Sequence, residues 1–164
     1  MIVVTIVIMY VLFVFVVIRL VVPYYGFSKT EIKSSVPKYF LYEIEKINLT
    51  SNTDFEYLKN SYDYLSSKYY GSKVELFTKW QRAFDDVFTH KTGFVPCNVF
   101  NELMKIVLIK SGRFEDNDIR KRVTFLNLFI HQYLQIKVSG KWIDVDMEYK
   151  NMGVPFGKHA SIFK

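Results

Sequence analysis

Residues 1–18 contain no charged side chain, and the apolar run that they begin extends to Val22 with Arg19 as its one charged residue. An α-helix rises 1.5 Å per residue, so about 20 apolar residues cross a hydrocarbon core of roughly 30 Å. Arg19 stands near the end of the run, where a long side chain can reach the lipid headgroups. The sequence therefore predicts one transmembrane helix over residues 1–22, which would attach the protein to a membrane.

A cleaved signal peptide is the alternative interpretation of the same run. It requires a basic first region, an apolar stretch of about 7–15 residues and a cleavage site with small residues. Here no basic side chain precedes the run, the run is longer, and the bulky residues 23–25 (PYY) follow it. An uncleaved single-pass anchor is favoured. Basic residues after the span, such as Lys29 and Lys33, favour a cytoplasmic position for the rest of the chain.

The residues after the anchor predict a linker and one domain. Residues 23–37 are mostly polar with Gly, Ser and Pro, as is typical of a linker, and residues 38–164 are enough for one domain. A short amphipathic stretch at 38–47 precedes three helices, which are predicted from Thr53 to Gly71, from Val74 to His90 and from Cys97 to Gly112. Thr53 and Glu56 have the spacing of a capping box at the start of the first of these helices.

Three strands are predicted after the helices, over Val123–Phe129, His131–Val138 and Lys141–Asp146, and Ser139-Gly140 is a two-residue hairpin turn between the last two. Residues 113–121 are charged and loop-like, with a helical turn possible from Asp116 to Lys121. Helices followed by antiparallel strands indicate an α+β fold.

Cys97 is the only cysteine, which excludes an intrachain disulfide and a four-cysteine zinc site. It stands directly after Pro96 at the predicted start of a helix. The partial positive charge of a helix start stabilises a thiolate and lowers the pKa of the thiol, so a nucleophilic cysteine is one interpretation. A small buried structural cysteine is the other.

The hairpin register brings a histidine near two aspartates. With Ser139-Gly140 as the turn, Val138 faces Lys141, and His131 falls on the same face as Asp144 and Asp146. A carboxylate beside the imidazole would hold it in one tautomer, which leaves the other ring nitrogen to accept a proton from a thiol. A turn one residue longer would place His131 on the opposite face.

Residues 93–148 resemble the core of the transglutaminase-like superfamily. The resemblance consists of a cysteine that starts a helix (Cys97), a histidine that opens a strand (His131), and an aspartate that closes the next strand (Asp146), preceded by Gly-x-Trp at Gly140 and Trp142. It implies a papain/transglutaminase-like α+β core. It also implies a triad with Cys97 as nucleophile, His131 as general base and then acid, and Asp146 as orienting carboxylate; Asp144 is the rival for the last role.

Such a triad implies acyl transfer or hydrolysis on a protein or peptide amide. The Cys97 backbone N–H is the expected first donor to the oxyanion, and Trp80, Asn98 and Gln132 are candidates for the second. The sequence does not separate water from an amine as acceptor. A catalytically inactive domain of the same fold, acting as a membrane-anchored binding or structural module, is the alternative, and a basic membrane-proximal protein unrelated to the superfamily is a third.

Other classes of function are disfavoured by what the sequence contains. Nucleotide-binding glycine motifs and paired His or Cys ligand spacings are absent, so neither a cofactor nor a metal is expected. The net charge of +6 is explained by an anionic membrane surface, and nucleic acid is not expected as a partner.

Overall fold

Helix α6 (Cys97–Lys110) forms the centre of the domain in the computed structural model, which describes residues 2–25, 35–126 and 129–161. Every residue of this helix from Asn98 to Leu108 is buried, because helices α3 (Lys38–Leu49) and α4 (Asp54–Lys68) pack on it and strand β4 (Phe129–Val138) packs on it as well. Apolar side chains such as Leu103 form the core between these layers. The predicted α+β class is confirmed.

The start of helix α4 follows the sequence signal for a capped helix. The Thr53 hydroxyl accepts a hydrogen bond from the Glu56 backbone N–H at 3.1 Å. The Glu56 carboxylate returns to the backbone N–H of Asn52, one residue before the position that a capping box requires. The helix ends at Lys68, and a two-residue strand β1 (Tyr69–Tyr70) follows it.

The main sheet is antiparallel and consists of β4 with β3 (Ile119–Leu126) and β5 (Lys141–Val145). The strand order is β3-β4-β5, which places β4 in the middle. Ser139 and Gly140 both have positive φ, at 49° and 80°, as a two-residue hairpin turn requires. Val138 pairs with Lys141, so the predicted register is confirmed.

Strand β3 begins four residues before its predicted start at Val123, and the helical turn is confined to a 3-10 turn at Asp116–Asp118. Three consecutive basic residues, Arg120 to Arg122, lie on this strand, and an edge position tolerates charged side chains. A second sheet that the sequence did not indicate pairs β1 in parallel with β2 (Gly93–Phe94). Residues 127–128 of the predicted strand lie outside the described residues.

The predicted helix from Val74 to His90 is wrong. Helix α5 covers only Lys73–Thr78, a 3-10 turn follows at Trp80–Ala83, and turns continue to His90. Its apolar stripe is only partly covered by the core, since Val87 is buried but Trp80 remains 61% exposed. The Asp86 carboxylate also accepts the Phe88 backbone N–H, a local turn that competes with a helix.

The predicted transmembrane helix over residues 1–22 is not supported. The segment comprises α1 (Ile2–Leu12), a π-helical turn at Phe13–Val17 and α2 (Ile18–Val21). No helix among the described residues is both long enough and apolar enough to span a bilayer. The side chains of α1 are exposed, whereas Ile18 packs against the domain. Of the predicted linker, residues 26–34 lie outside the described part of the chain.

Candidate active site

Cys97 is the first residue of helix α6, and Pro96 before it has the extended backbone conformation of an N-cap residue. A proline is compatible with this boundary, because the residue needs no intrahelical N–H bond there. The thiol is half-buried and lines the cavities at this end of the domain. The sequence therefore located the helix boundary correctly.

His131 and Asp146 come together as the hairpin register requires. Both side chains are buried, and His131 Nε2 lies 2.9 Å from Asp146 Oδ2. The same carboxylate oxygen accepts the backbone N–H of Ala160 at 2.9 Å, so the C-terminal segment helps to fix it. The sulfur of Cys97 and a ring nitrogen of His131 lie within 4.8 Å of each other. The structure thus groups the three residues that the sequence selected.

Asp144, the rival for the orienting role, serves a different histidine. Its Oδ2 lies 2.7 Å from Nδ1 of His159, and its Oδ1 accepts a hydrogen bond from Gln135. The His159 ring stacks on Tyr133 with 4.3 Å between centroids. This second pair holds the C-terminal segment over the sheet, and of the two aspartates Asp146 is the one that contacts His131.

Glu148 is the residue of the site that sequence reasoning missed. Its Oε2 lies 3.0 Å from Nδ1 of His131, and its side chain is buried. The position is set by Gly71, since a Cβ at Gly71 would stand 2.1 Å from the Glu148 Cγ and 2.5 Å from the Glu148 carbonyl oxygen. Nothing in a single sequence links Gly71 to Glu148, because they lie far apart along the chain. The one local signal is that Glu148 follows Asp146 by two residues, the spacing that places two residues on one face of a strand.

Two carboxylates on one imidazole decide its charge. Burial lowers the pKa of His131, but the hydrogen bonds with Asp146, Cys97 and Glu148 outweigh it and hold that pKa well above its ordinary value. Nε2–H and Nδ1–H then each have a carboxylate acceptor, and the charged imidazolium is the favoured form.

The electrostatics of the thiol differ from the sequence expectation. Burial, followed by the charge of Glu148, raises the pKa of the Cys97 thiol, while His131 and the backbone N–H of Gln132 act in the opposite direction. The helix start and the imidazole alone predict a lowered pKa of the thiol, but burial and Glu148 outweigh them. The site in this state combines a neutral thiol with an imidazolium.

The residues after α2 form part of the site. The Tyr25 hydroxyl donates to the Ile130 carbonyl at 2.8 Å and lies 4.0 Å from the Cys97 sulfur. Tyr24 has a φ of 62°, a conformation that a non-glycine residue keeps only where surrounding contacts enforce it. Its carbonyl accepts a hydrogen bond from the Lys121 ammonium at 2.9 Å. Val22 and Tyr25 therefore contribute to the wall of the site.

Two of the three candidates for the second oxyanion donor use their amide groups elsewhere. The Asn98 side chain donates to the carbonyls of Pro23 and Ala83, both at 2.9 Å. The Gln132 side chain donates to Tyr24 and Tyr25 carbonyls at 3.4 Å. The third candidate, Trp80, lines the larger of the two cavities beside Cys97.

Two cavities meet at Cys97. The smaller, of about 160 Å³, is lined by His131, Glu148 and Tyr149, and the Tyr149 ring contacts the imidazole edge-on. The larger, of about 290 Å³, is lined by uncharged residues of α2, of residues 76–84 and of the start of α6. The nucleophile candidate thus lies between a cavity that contains the ionisable groups and a cavity that is apolar.

Cys97, His131 and Glu148 could also hold a metal ion. One ligand atom from each lies within 4.8 Å of the other two, and Asp146 on the far nitrogen of His131 is the outer-shell partner that metal-binding histidines commonly have. A thiolate, an imidazole and a carboxylate suit Zn²⁺. These three residues lack the paired spacings by which a metal site is found in a sequence, so no metal was predicted.

No protein-family model matches the chain, and comparisons with curated proteins and with solved structures also found no match. The interpretation of the site therefore depends on its own geometry and on the sequence resemblance given above.

Proposed function

We propose that the protein is a cysteine enzyme with a papain/transglutaminase-like core that performs acyl transfer or hydrolysis on an amide. The observation that carries the proposal is the 2.9 Å contact between His131 Nε2 and Asp146 Oδ2, with the Cys97 thiol close to the imidazole at the start of a helix. A nucleophile, a base within reach of it, and a group that orients the base are the parts that this chemistry requires.

The proposed reaction assigns one role to each residue. The His131 imidazolium first passes its Nδ1 proton to Glu148 Oε2, which lies 3.0 Å away. The neutral imidazole then takes the proton of the Cys97 thiol, and the sulfur attacks the substrate carbonyl to form a tetrahedral intermediate. The oxyanion is stabilised by backbone N–H groups at the start of α6. His131 then returns the proton to the leaving amine, which leaves a thioester on Cys97. Water or a second amine resolves the thioester, and Asp146 keeps the imidazole oriented throughout.

We also propose that the protein works at a membrane, to which its N-terminal segment attaches it. The support is the exposed apolar surface of α1, on which residues such as Ile2 and Val3 are 77% and 74% exposed. A contiguous apolar surface of this kind marks a site for lipid or protein contact. The net charge of +6 would favour an anionic bilayer.

A test of the activity is to trap the acyl-enzyme. The full chain in lipid nanodiscs is treated with p-nitrophenyl acetate, and its intact mass and a peptide map are measured. We expect one acetyl group on Cys97 and a burst of p-nitrophenolate, both absent in Cys97→Ala and strongly reduced in His131→Ala. A folded protein that alkylates with iodoacetamide but never acylates would contradict the proposal.

The alternative is a catalytically inactive domain of the same fold, acting as a binding or structural module at the membrane. The observation that favours it is the raised pKa of the Cys97 thiol, since the thiolate is the reactive form. The same acylation experiment separates the two, because an inactive module would show neither the acetyl group nor the burst.

A further inference from the structure

The larger cavity beside Cys97 has the composition of a site for an apolar chain. The N-terminal segment contributes Ile18 and Val22 to its lining, and residues 76–84 contribute Phe77 and Phe84. None of the described residues that line it is charged. Its volume of about 290 Å³ is near the lower limit of small-molecule sites, which hold about 300–1,000 Å³.

Two polar side chains in the lining, those of Tyr25 and Asn98, are already engaged with the protein. The Tyr25 hydroxyl donates to the Ile130 carbonyl, and the Asn98 amide donates to two other backbone carbonyls. A bound peptide would need hydrogen-bond partners for its own backbone, because an unpaired polar group that leaves water is costly. An aliphatic chain needs none, so this lining favours an aliphatic chain over a peptide.

The two cavities can be assigned to the two parts of a substrate. The leaving group must receive a proton from His131, and His131 lines only the smaller cavity. The acyl part of a substrate bound at the Cys97 sulfur then extends into the other cavity. Ile18 lines that cavity and directly follows the apolar helical residues 13–17. The side of the cavity formed by Ile18 therefore adjoins an apolar surface.

From these observations we infer that the acyl group transferred to Cys97 is an aliphatic, fatty-acyl chain, bound in the cavity between the N-terminal segment and residues 76–84. The inference depends on the proposed acyl-transfer activity and adds the substrate class. The ligand is recognised by burial of methylene groups, each worth about a fourfold gain in binding, and Tyr25 closes the end of the cavity next to the sulfur.

The test is a series of p-nitrophenyl esters (acetate, butyrate, hexanoate and octanoate) with the full chain in lipid nanodiscs. The measured quantity is the second-order rate of Cys97 acylation, followed by the p-nitrophenolate burst and by intact mass. We expect the rate to rise about two- to fourfold for each added methylene until the cavity is filled. An Ala83→Trp variant, which fills the cavity, should lose the rise of the rate with chain length.

Leu49→Trp is the matched control, because Leu49 is 81% exposed and lies outside the cavity; it should show the wild-type series. A rise that persists in Ala83→Trp would mean that partitioning into lipid produces it, and the inference would be wrong. A flat or falling series with good acetate acylation would also overturn it while leaving the activity in place. Failure of every ester, acetate included, would instead reject the proposed function and the inference together.

Discussion

Glu148 Oε2 lies 3.0 Å from His131 Nδ1, so the imidazole has a carboxylate on each of its two nitrogens. In a cysteine–histidine pair, the orienting carboxylate binds one ring nitrogen of the histidine, and the other ring nitrogen accepts the proton of the thiol. Here Glu148 competes with Cys97 for that nitrogen. Burial is the main cause of the raised pKa of the Cys97 thiol, and the charge of Glu148 adds to it. Despite burial, the pKa of His131 is raised by its hydrogen bond with Asp146 and further by Glu148.

Replacing Glu148 should make the thiol more reactive. Glu148→Gln removes a negative charge that lies within 4.8 Å of the Cys97 sulfur, so the pKa of the thiol should fall. A unit charge at that distance is worth roughly 3–4 kcal/mol at an effective dielectric constant of about 20, and solvent reduces this at a half-buried thiol. We expect alkylation by iodoacetamide to become about tenfold faster near neutral pH, with the pH profile displaced to lower pH.

The control for this measurement is Glu45→Gln, which removes the same charge from an exposed position on α3. It should leave the alkylation profile unchanged. An unchanged profile in Glu148→Gln as well would mean that the carboxylate does not act on the thiol.

The two aspartates of the hairpin should differ sharply when each loses its charge. Asp146→Asn replaces the carboxylate beside His131 Nε2 with a neutral amide that no longer fixes the tautomer of the ring. It should lower turnover by a factor on the order of 10²–10⁴, as when a triad loses its orienting carboxylate. Asp144→Asn disturbs only the pair with His159 and should lower turnover far less. Steady-state rates of both variants with p-nitrophenyl acetate check this. Equal losses would assign the orienting role to neither aspartate in particular.

Gly71 should be required for the position of Glu148. A Cβ at Gly71 would overlap Glu148, so Gly71→Ala should destabilise the fold by about 1–3 kcal/mol and also alter the alkylation profile of Cys97. Gly140→Ala is the matched control: its Cβ would meet nothing within 4 Å, but its φ of 80° makes the substitution strained. Both variants should lose stability in urea unfolding. If Gly71→Ala leaves thiol reactivity at the wild-type level, Gly71 does not position Glu148.

Stability should depend on pH through His131. Its pKa in the folded state lies above its value of about 6.5 in the unfolded chain, so the folded state binds the proton more tightly. The resulting stabilisation is fully present below about pH 6.5 and is lost as the pH rises through the folded-state pKa. The measurement is the free energy of unfolding of wild type and of His131→Gln at about pH 5.5 and about pH 9. We expect the difference between the two proteins to shrink at the higher pH; a constant or growing difference would contradict the imidazolium assignment.

Several parts of the site follow from local sequence alone. A Ser-Gly pair between two alternating strands determines a two-residue turn, and the turn determines the register, because neighbouring side chains point to opposite faces. The local sequence of the hairpin is therefore sufficient to place His131 and Asp146 on one face. The start of α6 at Cys97 is equally local, since Pro96 is suited to a helix boundary and not to a helix interior.

Other features were decided only by the tertiary structure. The apolar spacing of residues 74–90 predicted a helix, but the core covers only the end of that stripe near Val87, and Phe77 and Trp80 stay exposed. Without burial of this part of the stripe, the helix does not continue past Thr78. Glu148 reaches His131 only because Gly71, a residue distant in sequence, leaves room for it. Tyr25 approaches Cys97 only because the chain after α2 turns back onto the sheet. Local patterns determine turns and helix starts, whereas contacts between distant segments set the charge and the shape of the site, because both depend on which groups share a buried space.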